Sequence, residues 1–141
     1  MSTIELTRRY QFSASHRLHA QQLSAEENRR IYGKCNNPLG HGHNYWLEVT
    51  VSGPVDPQTG RAISPSMLDR LVEATILREL AYSNLNEVVE HFAFHPPTTE
   101  NLALVIQQRL LERWPQWFSG EIRLVRIRLE ETRRNIIESE P

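Results

Sequence analysis

His41 and His43 flank a single glycine, Gly42, and a third histidine, His16, lies upstream of them. Three imidazoles with a fourth position left open are the donor set of a catalytic zinc site, whereas a structural site is closed by four protein ligands. The competing use of such histidines is to satisfy buried hydrogen bonds. Cys35 comes shortly before His41. Beside a metal or a cation, a thiol has a lowered pKa and serves as a base or nucleophile. Away from them it is an inert, half-buried side chain. Glu131 closes an otherwise apolar alternation. Burying a carboxylate costs several kcal/mol unless it is paired. The paired N–H donors of an amino-pyrimidine edge would pair it, and so would the guanidinium of Arg133 or Arg134.

These groups meet only if the elements carrying them place them on one side. Ile4 to His16 alternates with Ile4, Leu6, Tyr10, Phe12, Ala14 and His16 in phase, interrupted only by Arg8. Period two is a strand, and His16 ends it on the apolar face. Gly40 to Gly53 alternates again, with His41, His43, Tyr45, Leu47, Val49 and Val51 in phase. Residues i and i+2 of a strand share a face, so His41 and His43 point the same way. Gly42 between them is read as relieving crowding on the opposite face. Val125, Ile127, Leu129 and Glu131 form a third alternating face, and 135–137 reads as a last short edge strand.

Between the first two strands, Leu18 to Pro38 has no period and carries Gly33, Asn36, Asn37 and Pro38. It reads as a loop, long enough to suggest a functional one. Pro54 to Gly60 is turn chemistry. Ser64-Pro65 starts a helix, with Ser as N-cap and Pro at the first helical position, and Leu68, Leu71, Val72, Ile76 and Leu80 continue its stripe. Ser83 to Pro97 reads as irregular. Thr98 caps a second helix, expected to end at or before Trp114 because Pro115 follows. The expected fold is α+β: one domain over 1–141, with a four-stranded antiparallel sheet and two helices on one face.

The 141 residues hold 39% hydrophobic and 23% charged side chains, and the net charge is -1. This is the composition of a globular protein, with no global charge to favour nucleic acid. Arg29, Arg30 and Lys34 form a local basic cluster, either a solvated turn or a seat for phosphate. With Cys35 as the single cysteine, no internal disulfide can form. The N-terminus lacks the apolar core of a signal peptide, and no apolar run is long enough to span a membrane. The expected location is cytoplasmic, with no membrane partner.

Phe12-Ser13-Ala14-Ser15-His16 and the run Gly33-Lys34-Cys35-Asn36-Asn37-Pro38-Leu39-Gly40-His41-Gly42-His43-Asn44-Tyr45 resemble the signature of the 6-pyruvoyl-tetrahydropterin synthase family. Weaker matches continue through Val55 to Gly60, Thr98-Thr99-Glu100-Asn101 and Glu131-Thr132. The likeness extends to the related bacterial 6-carboxytetrahydropterin synthases of deazapurine biosynthesis. The resemblance implies the tunnelling fold (T-fold), in which subunits join their sheets into a barrel as trimers stacked in pairs, with active sites between subunits. It implies Zn2+ held by His16, His41 and His43, Cys35 as catalytic base, and a pterin ring anchored by Glu131 with Thr98 and Thr99. The implied reaction eliminates triphosphate from 7,8-dihydroneopterin triphosphate to give 6-pyruvoyl-tetrahydropterin, with zinc polarising the side-chain oxygens.

One departure bears on activity. The family carries Leu-Asp-His-x-Asn-Leu where this chain reads Leu80-Ala81-Tyr82-Ser83-Asn84-Leu85. In the family that His shares proton transfer with the Cys, and the Asp orients it. A single acid–base group contributes about 10²- to 10⁴-fold. Tyr82 has a proton to donate, but with an unperturbed pKa near 10 it is a poor base. His19, His91 and His95 read as ordinary surface histidines, although either of the last two could swing in. Three readings follow: a synthase with Tyr82 as substitute acid, an enzyme giving another product such as 6-carboxytetrahydropterin or a cleaved side chain, or a non-catalytic pterin binder.

Overall fold

A computed structural model describes residues 2–141. The first strand, β1 (Thr3–His16), pairs antiparallel with β2 (His41–Pro54) over its whole length, with Phe12 opposite Tyr45, Ala14 opposite His43 and His16 opposite His41. Between them lie α1 (Ala25–Tyr32) and a 3-10 turn (Gly33–Asn36). After β2 comes α2 (Pro65–Val72), capped by Ser64. It runs through a π-helical turn (Glu73–Leu77) into α3 (Arg78–Leu80). Then follow β3 (Ser83–Asn84), α4 (Leu85–Val88), a 3-10 turn (Glu90–Ala93), α5 (Thr99–Trp117), β4 (Arg123–Glu130) and β5 (Ile136–Ser139).

The sheet order is β3-β1-β2-β4-β5. The sheet therefore has five strands where the alternation predicted four. The added one, β3, is only two residues long and runs parallel to β1, with Ala14 opposite Ser83. Two residues carry no readable period, and β3 exists because the chain leaving α3 is drawn against the end of β1. The stretch read as a loop also contains α1. That helix has no apolar stripe, since Asn28 is its one buried residue. It is started by a reciprocal capping box between Ser24 and Glu27, which satisfies two orphan backbone donors at once. The segment read as irregular holds β3, α4 and a 3-10 turn. Helix α5 runs past Pro115 to Trp117. Pro115 sits in the last turn, where its missing N–H costs the bond to Leu111 alone, and Trp114 is fixed independently by Nε1 donating to the Ile122 carbonyl at 2.9 Å.

One face of the sheet is apolar. Leu47, Val49, Val51, Ile127 and Leu129 pack beneath Leu68, Leu71, Ile76, Leu80, Leu102, Ile106 and Leu110, all fully buried. Each such side chain contributes roughly 1.5–3 kcal/mol by leaving water. The other face is an ion-pair lattice in which Arg9 and Arg128 reach Glu48, Arg9 reaches Glu130, and Arg126 reaches Glu5. No helix among the described residues is long and apolar enough to cross a membrane.

Candidate active site

The core parity of β1 and β2 carries three histidines to one end of the sheet. His16, the last residue of β1, is fully buried, and its Nδ1 lies 2.9 Å from the Tyr45 hydroxyl. When Nδ1–H donates to that oxygen, Nε2 keeps its lone pair free, the arrangement that partners of metal-bound histidines enforce. His43 follows on the same face, its ring centroid 4.5 Å from that of His16. Gly40 turns the chain into β2 at φ +86, and a Cβ there would lie 3.6 Å from the His16 carbonyl oxygen. This left-handed position needs glycine. Gly42 has no such role, because a Cβ on it would meet nothing within 4 Å. The crowding expected on the opposite face is absent.

The 3-10 turn brings in Cys35. Leu18 donates its N–H to the Cys35 carbonyl at 2.7 Å, and Asn36 Nδ2 reaches the Leu18 carbonyl at 2.7 Å and His19 Nδ1 at 3.0 Å. Arg17 Nε donates to the Asn36 carbonyl at 3.1 Å. The segment after β1 thus clamps the turn, and His19, read as a surface residue, is part of the clamp. Donor atoms of His16, Cys35 and His43 all lie within 4.8 Å of one another. His41 stands one layer out, stacked on His43 at 4.6 Å between centroids, with Nδ1 3.2 Å from the Gly42 carbonyl.

Glu131 completes the cluster. Its Oε1 lies 3.7 Å from His16 Nε2 and 3.6 Å from His43 Nε2, and these three buried atoms have no hydrogen-bond partner. The side chains nearest Glu131 Oε1 are therefore imidazoles, while Arg133 and Arg134 are exposed. Two imidazole nitrogens and a thiol within 4.8 Å of one another, with a carboxylate oxygen beside both imidazoles, suit a borderline metal such as zinc. The orphaned nitrogens show that the residues fit such an ion.

Burial, then the neighbouring His43 and His41, push His16 down to about 4. Burial also lowers His43, and the Glu131 charge opposes that shift. The Cys35 thiol is pushed up by burial and further by Glu131. That is opposite to the lowering a cation would cause, because burial and then the Glu131 anion both disfavour the thiolate.

The remaining sequence candidates lie elsewhere. Thr98 is the N-cap of α5, its Oγ1 accepting from Asn101 N at 3.2 Å, and Thr99 is buried. Among the described residues neither is hydrogen-bonded to the His–Cys–Glu cluster. Tyr82 is 93% exposed and adopts φ 58, with its N–H donating to the Ser13 carbonyl. It lines an open groove with Ser13, Ser15, Asn44 and also His43. His91 and His95 stack on each other at 4.1 Å.

Comparison with known proteins places this arrangement. The family described as "6-pyruvoyl tetrahydropterin synthase" matches residues 5–141. The 6-pyruvoyl tetrahydrobiopterin synthase of Drosophila melanogaster is 46% identical over 134 residues, covering 94% of this chain and 76% of that protein. The Homo sapiens protein of the same name is 42% identical over 133 residues, covering 94% and 88%. The solved structure of Caenorhabditis elegans 6-pyruvoyl tetrahydropterin synthase superposes with a TM-score of 0.88 at 34% identity, covering 100% of this chain and 97% of that one. The chain belongs to the 6-pyruvoyl tetrahydropterin synthase family and has its fold.

Proposed function

We propose that the protein is a zinc-dependent lyase that eliminates triphosphate from 7,8-dihydroneopterin triphosphate to give 6-pyruvoyl-tetrahydropterin. The observation that carries this reading is the convergence of unpartnered His16 Nε2 and His43 Nε2 beside Cys35, in a chain 46% identical to a synthase of that name. His16 and His43 hold the metal, with His41 from the adjoining stack as third ligand. Zinc there supplies Lewis acidity to the substrate's side-chain oxygens.

The residues of the chain do the rest. Cys35 takes the proton from the carbon next to those oxygens. Glu131, with Thr98 and Thr99, receives the pterin ring. Tyr45 holds the His16 ring in place, and the buried setting of the cluster keeps bulk water from the reacting carbon. The free outer edges of β3 and β5 are the places where sheets of neighbouring copies join into a barrel, as a trimer or hexamer. Sites between subunits would account for the separation of Thr98 and Thr99 from the cluster within one chain.

Incubating zinc-loaded protein with 7,8-dihydroneopterin triphosphate, and separating products by chromatography, tests the reading. Triphosphate release with a 6-pyruvoyl side chain supports it. A second reading is favoured by Tyr82, which is 93% exposed and stands where the family carries the histidine that shares proton transfer with the cysteine. On that reading fewer proton transfers occur, and the same assay returns a carboxylated or cleaved side chain, or bound pterin without turnover.

A further inference from the structure

We propose that Glu131 is itself a metal ligand in the substrate-free protein, holding the coordination position that substrate later takes. The inference rests on the reading that a metal sits between His16 and His43. It starts from an anomaly: a carboxylate oxygen inside the protein, without a hydrogen bond, equidistant from two imidazole nitrogens that also lack one. Side-chain exposures are 0% for His16 and 11% for His43 and for Glu131. Leaving one such polar atom unpaired costs about 1–3 kcal/mol, and three converge here.

The separations point to a shared ion. Neither the 3.7 Å contact to His16 Nε2 nor the 3.6 Å contact to His43 Nε2 is a hydrogen bond. Ligands of a tetrahedral zinc, each about 2.0–2.2 Å from the ion, stand roughly 3.4 Å apart. The observed spacing is close to that edge. The backbone of Glu131 is fixed for the task, because its N–H donates to the Asn135 carbonyl at 3.2 Å and Asn135 N–H returns to the Thr132 carbonyl at 3.2 Å. The turn between β4 and β5 therefore aims the carboxylate at the imidazoles.

The consequence is an exchange. Substrate oxygens reach the metal only when Glu131 leaves it, and a carboxylate leaves readily when another site offers paired N–H donors. A ligand with an amino-pyrimidine edge has them. Ring recognition and opening of the metal then become one event, and a phosphorylated polyol without the ring would not open the site.

Co2+ is the probe, since its visible spectrum reports ligand number and geometry. Metal-free native protein, Glu131→Gln and His16→Ala are titrated with Co2+ against a competing chelator. The expected result is a loss of affinity in Glu131→Gln at least as large as the roughly 10- to 100-fold that a partner outside the coordination shell is worth, with a changed spectrum. Neopterin should shift the native spectrum and fail to produce the same shift in Glu131→Gln. Unchanged affinity and spectrum in Glu131→Gln, with binding lost in His16→Ala, overturn the inference and leave the metal site standing. Retention of the native Co2+ affinity by His16→Ala overturns both. Should Glu131→Gln fail to fold, the structure of the zinc-loaded, pterin-free native protein decides: Glu131 Oε1 within about 2.2 Å of the ion supports the inference, and a water in that position overturns it.

Discussion

Tyr45→Phe isolates the contact that orients the innermost histidine. Tyr45 is fully buried, its ring stacks on Phe12 at 5.1 Å between centroids, and its hydroxyl meets His16 Nδ1 at 2.9 Å. Phenylalanine keeps the ring, so no cavity term arises. What is lost is one partner of a buried hydrogen bond, leaving His16 Nδ1 unsatisfied, at about 1–3 kcal/mol. Urea unfolding of the metal-free variant should therefore show a loss near 2 kcal/mol. The His16 ring also loses the group that fixes its tautomer, and removal of such a partner weakens metal binding about 10- to 100-fold. Chelator competition with zinc measures that second effect. Tyr10→Phe is the matched control: its hydroxyl donates to Asp69 at 2.7 Å, away from the histidines, so it should cost some stability and no metal affinity. Unchanged zinc affinity in Tyr45→Phe would refute the argument that Tyr45 holds a metal ligand, whatever happens to stability.

Cys35→Ala should abolish turnover of 7,8-dihydroneopterin triphosphate while zinc content stays near native, checked by metal analysis beside the product assay. Combining Ala81→Asp with Tyr82→His should raise the rate of a synthase, and no gain would show that these positions are not a simple catalytic deficit. Gly40→Ala, at φ +86, should cost roughly 1–2 kcal/mol, read by thermal unfolding. Asp69 is held below the usual carboxylate range, first by the Arg8 guanidinium and also by Tyr10. A depressed folded-state pKa adds stability above the unfolded value, near 3.9, and that stability disappears as pH falls through the folded value. Because both partners are over a third exposed, Asp69→Asn should cost under about 1 kcal/mol at pH 7. The difference should vanish in acid unfolding curves taken well below pH 4.

The parity of β1 and β2 was legible because a strand that buries one face must alternate, and His16, His41 and His43 fall in phase with Phe12, Tyr45 and Leu47. Glu131 was legible in the same way as an inward carboxylate. Its neighbours were not, since the strand register that sets Leu129 opposite Leu47 leaves no trace in the order of residues. Helix α1 escaped because it is held by capping and by Asn28, whose side chain bonds Ala20 and Ser24, and not by an apolar stripe. The approach of Cys35 to His16 and His43 depends on bonds from Leu18, Arg17 and Asn36. These bonds join segments without any period, so only the family signature hinted at the contact.

Position 82 shows how far one chain can answer for the chemistry. A tyrosine in the left-handed region costs about 1–2 kcal/mol, and an exposed ring gains nothing from burial. The backbone there is over-determined, by the Ser13 carbonyl on its N–H and by the bridge between Ala14 and Ser83. The main chain is thus fixed by β3 whatever side chain it carries. Because the backbone holds its course, Tyr82→His changes only the side chain offered at this edge of the sheet, and the rate of that variant in the product assay tests the side chain alone.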